Sequence, residues 1–260
     1  MTFRPKKWRA PAIAVALLVA FQPMRGYVLD WSTIAWTPGS LTNSYDIDSS
    51  NPGNDITIAF SGDTARLTNY WTQNSPFIVQ TNQGGYTSVA ALMFAMDYTT
   101  HDQSITVKVS FNYSNGVYLD NFQLFDIDMA ANSWTDQIRN IWGTTTNGSI
   151  IAATLTNLGT TVSRIGTGTN QSLIGTATAD NTSGAGNATI VFNQQGIQSF
   201  QFTYGSYTNN SPNNPSEQHI QLYDINYRPV PEIGLAWVPF GMFGLASLVL
   251  YRRRRSHASA

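Results

Sequence analysis

Between Ser104 and Phe111 the chain reads SITVKVSF, with Ile105, Val107, Val109 and Phe111 on one side of an extended backbone and Lys108 and Ser110 on the other. Alternation of this kind has the period of a strand with one dry face and one wet face. It recurs in DITIAF (Asp55 to Phe60), VYLDNFQLFDI (Val117 to Ile127), ATIVFN (Ala188 to Asn193), IQSFQFTY (Ile197 to Tyr204) and HIQLYDINY (His219 to Tyr227). Weaker runs are YVLDWSTIAW, AALMFAMDY, DQIRNIW, SIIAATL and TTVSRIG. No convincing amphipathic helix falls between them. About eleven short strands, separated by turn sequences such as SNGV and TNGS, predict an all-β fold. Its expected form is an antiparallel two-sheet sandwich, jelly-roll-like, in a single domain from 27 to 228. The segment Gly166 to Asn187 is poor in large apolar residues and predicts a long mobile surface connection or a frayed edge hairpin.

The two ends have a different character. Arg4, Lys6, Lys7 and Arg9 precede the apolar run AIAVALLVAF (Ala12 to Phe21), the pattern of a secretory signal peptide over 1–26, with cleavage after Ala20 or near Gly26. Ile233 to Tyr251 is an apolar run of 19 residues, roughly 28 Å as a helix, which matches a bilayer core. Trp237 and Tyr251 lie toward its ends, and Arg252, Arg253, Arg254 and Arg255 follow as a cytoplasmic membrane stop, leaving 256–260 as a tail. These segments predict export, with the export machinery, signal peptidase and the membrane as partners.

Removing the ends exposes the charge of the sandwich. Tyr27 to Arg228 holds five basic residues against 14 acidic ones, a formal net charge of −9. Nucleic-acid binders carry a basic footprint, so no nucleic-acid partner is expected. The sequence contains no cysteine, so this exported domain is held by its core, and by ions if it binds any, and not by disulfides.

Few residues promise catalysis. His101 and His219 are the only histidines between the two ends, too few and too distant for a zinc site, and Glu217 is the sole glutamate of that region. No serine sits in a strand-elbow-helix setting. No catalytic residue is therefore assigned, and the expected protein is not an enzyme. The best polar constellation is FDIDMAANSWTDQI, where Asp126, Asp128 and Asp136 suit Ca²⁺, a cation that takes six to eight oxygens. Asp224 and the loop with Asp46, Asp48 and Asp55 are further acids that fold back to such a site or cap their own turns. Of the tryptophans, Trp71 and Trp134 lie in polar loops and are the candidates for stacking on sugar rings, while Trp31, Trp36 and Trp142 read as core.

Val230, Pro231 and Glu232, then the apolar span, then Arg252 to Arg255, resemble the PEP-CTERM sorting signal of Gram-negative bacteria. Pro231 and Glu232 match its first two positions, and Ile233 stands in place of the second proline. The resemblance covers 229–255 and implies processing by an exosortase-like enzyme. It also implies a transient stay in the inner membrane, then a place at the cell surface or in an extracellular matrix alongside exopolysaccharide. The expected function is that of a non-enzymatic surface or matrix protein binding Ca²⁺ and glycan. Two other readings stay open: a glycan-active enzyme on the same sandwich, marked by two converging carboxylates, and a permanently anchored structural protein that self-associates.

Overall fold

The computed structural model describes residues 25–231. The signal segment up to residue 24, Glu232, the apolar span 233–251, Arg252 to Arg255 and the tail lie outside the described residues. Among those described, no helix is long and apolar enough to cross a membrane.

The chain begins with β1 (Tyr27–Leu29), β2 (Thr42–Tyr45) and β3 (Ile56–Gly62), then a small hairpin of β4 (Asn69–Tyr70) and β5 (Gln73–Asn74). Next come β6 (Phe77–Gln83), β7 (Tyr86–Met96), β8 (Ser104–Phe111) and β9 (Val117–Phe125). A middle group follows: β10 (Met129–Ala130), β11 (Trp134–Thr145), β12 (Ile150–Ala152), β13 (Thr154–Thr156) and β14 (Val162–Ile165). The last are β15 (Ser172–Gly175), β16 (Ala188–Val191), β17 (Ile197–Ser206), β18 (Gln218–Leu222) and β19 (Ile225–Pro229).

These strands build an antiparallel two-sheet sandwich. The first sheet runs β2–β3–β8–β17–β11, with β15 and then β14 continuing beside one end of β11 and β12 beside the other. The second runs β6–β7–β18–β9–β16–β13. Strand β9 belongs to both: its first half pairs with β19, and its second half pairs with β16 and β18. The alternation in SITVKVSF is realised as expected. Ile105, Val107, Val109 and Phe111 are buried in the shared core with Ile56, Ile58, Phe94, Phe200 and Phe202, while Lys108 faces solvent.

Two sequence expectations need correction. HIQLYDINY is two strands that follow one another along the same side of β9, interrupted at Tyr223 and Asp224, where the neighbour on their far side changes from β7 to β1. The Tyr223 N–H donates to Gln123 O at 2.9 Å, keeping the ladder to β9, and the Trp31 N–H donates to Asp224 Oδ1 at 3.2 Å. The second concerns Gly166 to Asn187, which is not a mobile connection throughout. Ser172–Gly175 is a buried strand between β11 and β14, where Leu173 is wholly inaccessible and closes the core beside Ile138. Two apolar residues sufficed, since the open edge of β11 supplied the pairing.

The close approach at Gly175 explains why this strand needs a glycine. A Cβ there would stand 1.8 Å from the Asp128 carbonyl oxygen. Gly175→Ala is expected to cost about 3 kcal/mol or more, at the upper end of overpacking, read as a lower denaturant midpoint with unchanged slope. A midpoint like that of the native chain would show that β15 tolerates the displacement.

Candidate functional site

The outer face of the second sheet is the place where side chains capable of recognition converge. On β18, Ile220 and Leu222 enter the core, so His219 and Gln221 alternate outward. Phe77, Val79, Ala91 and Met93 form an apolar patch on the same face, and Tyr70 and Tyr223 pack over it. Tyr70 comes from the β4–β5 hairpin, which folds down across the sheet. Its ring lies 4.5 Å from His219 and 5.0 Å from Trp71.

Trp71 and Thr72 are the two loop residues of that hairpin, and both have positive φ, 47° and 70°. A two-residue loop with both residues left-handed normally takes Asn-Gly. A tryptophan there is strained by roughly 1–3 kcal/mol. The strain holds the indole out at the tip, 56% exposed, on the rim of a cleft of about 310 Å³. Thr81, Asn82, Gln83 and Gln221 line it from the sheet, and Asn181 and Thr182 from the loop after β15.

That loop is fastened at several points. Gly84 N–H donates to Asn181 O at 3.0 Å, Asn187 Nδ2 to Gly84 O at 2.8 Å, and Ala179 N–H to Asp128 Oδ2 at 2.9 Å. The Asp180 carboxylate caps its own turn through the Thr182 N–H and hydroxyl, both at 2.8 Å, and these bonds hold its pKa below the ordinary value. The cleft is thus largely pre-formed. Its floor is polar and incompletely satisfied: Gln83 Oε1 and Gln221 Oε1 are buried without a hydrogen-bond partner. Buried acceptors of this kind cost free energy unless something donates to them. Beside the cleft, Tyr86 stacks on Tyr223 at 5.6 Å and Tyr223 on Phe125 at 5.0 Å, with Tyr86 42% exposed.

Trp71 therefore stands where the sequence reading put it, at an exposed loop tip. Trp134 does not match it. It is half-buried at the β10–β11 pairing, and its indole N–H donates to Asp128 Oδ1 at 3.3 Å. Trp31 and Trp36 are core residues, as expected. Gln83, Gln221, Asn181 and Thr182 were not singled out by the sequence. The only signal was that His219 and Gln221 are polar on one side of a strand whose other side is apolar.

The three aspartates lie close together but are engaged by the protein. Asp136 is wholly buried; Oδ1 accepts the Tyr204 hydroxyl at 2.7 Å and Oδ2 the Asp128 N–H at 3.1 Å. Both oxygens of Asp128 are also occupied, by Trp134 and Ala179. Asp126 Oδ2 lies 2.9 Å from His219 Nε2, and Asp126 Oδ1 has no partner. Burial raises the carboxyl pKa of Asp128 and pushes that of Asp136 far above the ordinary value, with the Asp128 charge adding to it. Among the described residues no group of three or more acidic, histidine or cysteine side chains is arranged to hold a metal. Of the six carboxylate oxygens of Asp126, Asp128 and Asp136, four already accept protein donors. Asp55 caps its own loop, accepting the N–H of Ile47 and of Asp48, and burial pushes Asp224 up to about 6.

Val230 and Pro231 are the last described residues, and both are tied to the sandwich. Val230 N–H donates to Gly116 O at 2.9 Å and Asn115 Nδ2 to Pro231 O at 3.1 Å.

No family model matches this chain, and no curated protein matches it. Two solved β-sandwich structures are similar to it at a low level. One comes from work on the promiscuous specificity of carbohydrate-binding modules of the β-sandwich superfamily. It is 12% identical at a TM-score of 0.32, over 71% of this chain and 61% of that one, less than two thirds of the neighbour's length. The other is a family 11 carbohydrate-binding module from Clostridium thermocellum in complex with a β-1,3-1,4-mixed-linked tetrasaccharide. It is 15% identical at a TM-score of 0.30, over 80% of this chain and 97% of that one.

Proposed function

We propose that this is an exported surface or matrix protein whose sandwich binds a neutral glycan in the Trp71 cleft and does not turn it over. The observation that carries this reading is the strained, solvent-exposed indole standing over an uncharged polar cleft. An aromatic face covers the apolar face of a sugar ring, and the exposed Asn82, Asn181 and Thr182 side chains beside it offer polar partners to the ring's hydroxyls. None of the residues lining the cleft is charged. The formal charge of −9 between Tyr27 and Arg228 repels polyanionic chains, which favours a neutral glycan over one rich in uronic acids. The same lining contains no carboxylate, so general acid-base hydrolysis has no residue to perform it there.

The test is affinity electrophoresis of the full-length chain in a non-glycosidic detergent, against soluble neutral glucans, mannans and a polyuronate. Retardation by a neutral polymer without release of reducing ends is expected. No retardation by any polymer overturns glycan binding, and release of reducing ends restores the enzyme reading.

Sorting through the C-terminal signal is the second part of the proposal. It is supported by the order of Pro231, Glu232, apolar span and arginines, and by the position of Pro231 at the edge of the folded domain. Strand β1 pairs antiparallel with β19, Tyr27 opposite Tyr227, so both chain ends leave from one pole. Gln221 pairs with Phe125 at the far end of β9, so the cleft lies roughly 25 Å from that pole at about 3.3 Å per residue. A domain tethered at either end thus presents its cleft outward. Intact mass of the protein recovered from its own cells is expected to end close to Glu232. An end at Ala260 means a permanent anchor and sinks the sorting proposal.

A further inference from the structure

A second cleft, of about 520 Å³, opens at the other end of β9, beside Tyr118, Asp120 and Arg228. It exists because β9 is held on that side only at Val117, by Ile197, and from Phe122 onward, by β16. The exposed turn between β16 and β17, with Asn193, Gln194 and Gln195, stands away from the strand between those two points. The walls are locked by their own contacts. Arg228 Nε donates to Asp120 Oδ2 at 2.9 Å and its Nη2 to Asp120 Oδ1 at 2.5 Å, while the guanidinium lies 5.4 Å over the Tyr118 ring. The Tyr118 hydroxyl in turn donates to Gln195 Oε1.

This arrangement is charge-neutral but rich in hydrogen-bonding capacity. Asp120 neutralises Arg228, so an anion gains little there. The Arg228 and Asp120 side chains remain 38% and 34% exposed. A guanidinium has five N–H donors, of which the pair engages two, and a carboxylate about four acceptor positions, of which Arg228 takes three, so both retain unused sites beside the cleft. A fixed donor beside a fixed acceptor, with three amides opposite, matches adjacent hydroxyl groups on a sugar ring. Because the Asp120–Arg228 pair and the Tyr118–Gln195 bond fix the geometry before binding, little ordering cost is left.

We propose that the Asp120–Arg228 cleft is a second binding site for a neutral glycan, so that one molecule holds two stretches of polysaccharide. The proposal rests on the reading of the Trp71 cleft for the class of ligand but not for its residues. The two clefts are separated by about six residues of β9, roughly 20 Å. That is far enough for both to be filled at once, and a long polymer with many repeats would then be cross-linked and bound with avidity.

The experiment is titration calorimetry of the full-length chain in a non-glycosidic detergent, using neutral gluco- and manno-oligosaccharides of four to six sugars as probes. Two sites per chain are expected, falling to one in Arg228→Ala and to one in Trp71→Ala. Gln195→Ala, in an exposed turn that the fold does not depend on, is expected to weaken one of the two sites by about tenfold. Dynamic light scattering with the parent polymer is expected to show growing complexes for the native chain and none for either single-site variant. If Arg228→Ala and Gln195→Ala keep the native stoichiometry and affinities, the second site is wrong and the Trp71 cleft stands. If Trp71→Ala keeps both sites and Arg228→Ala removes one, the Asp120–Arg228 cleft stands and the Trp71 assignment fails.

Discussion

Trp71→Ala is expected to weaken binding at its cleft by about 30-fold or more while leaving the melting temperature unchanged. A tryptophan that anchors a recognition surface is worth about 2 kcal/mol or more on truncation, and each 1.4 kcal/mol is a factor of about ten in affinity. The side chain is 56% exposed and contributes little burial, so the fold does not depend on it. Trp71→Gly is the sharper version. Glycine accepts the φ of 47° without strain, so this variant is expected to match or slightly exceed the native stability. A protein that melts higher and no longer binds would show strain kept for function. Undiminished binding in both variants would remove the cleft from consideration. A lower melting temperature with retained binding would mean that the indole is there to hold the hairpin.

The strands were legible where one face enters the core and the other faces water, as in Ser104–Phe111, because a single period then reports both environments. They were less legible where both faces are covered. Tyr86–Met96 carries an unbroken apolar run from Val89 to Met96, since Leu92, Phe94 and Met96 enter the main core while Ala91 and Met93 lie under the Tyr70 hairpin. The break at Tyr223 and Asp224 left no mark in the alternation, because β9 stays the partner on one side and only the neighbour on the other side changes, from β7 to β1. The site was legible in its aromatic residue only. Trp71 advertises itself as a large apolar side chain among polar neighbours. Gln83 and Gln221 look like any strand glutamines, and what sets them apart, a buried oxygen without a donor, exists only after the hairpin and the 177–187 loop have closed over the sheet. The aspartates were legible as a cluster but not in their partners. Spacing brings Asp126, Asp128 and Asp136 together, but it does not reveal that Tyr204, Trp134 and Ala179 reach Asp128 and Asp136 first.

Asp136→Ala is expected to be the most damaging polar substitution in the sandwich, costing on the order of 3 kcal/mol or more. The residue is wholly inaccessible, and its loss strands the Tyr204 hydroxyl and the Asp128 N–H inside the protein. A buried donor left unpaired costs about 1–3 kcal/mol, so two of them take a large share of a typical stability of about 5–15 kcal/mol. Asp136→Asn keeps the shape and one acceptor and is expected to lose less. The two variants also separate packing from charge through pH. Burial, with the Asp128 charge behind it, raises the folded-state pKa of Asp136 far above its unfolded value of about 4. The unfolded chain therefore releases this proton first as pH rises. Its stabilising contribution is complete below pH of about 4 and is lost progressively as pH climbs toward the folded value. Asp224, raised to about 6, acts in the same direction over the lower part of that range. Asparagine does not titrate, so the stability gap between the native chain and Asp136→Asn is expected to be widest near pH 4 and to narrow steadily toward pH 8. Chemical denaturation across that range measures it directly, with contributions from groups not coupled to Asp136 cancelling in the difference. A gap that widens with pH would mean that Asp136 is held as a stabilised carboxylate, and the buried Asp136–Tyr204–Asp128 cluster would then be an anion site and not a neutral pin.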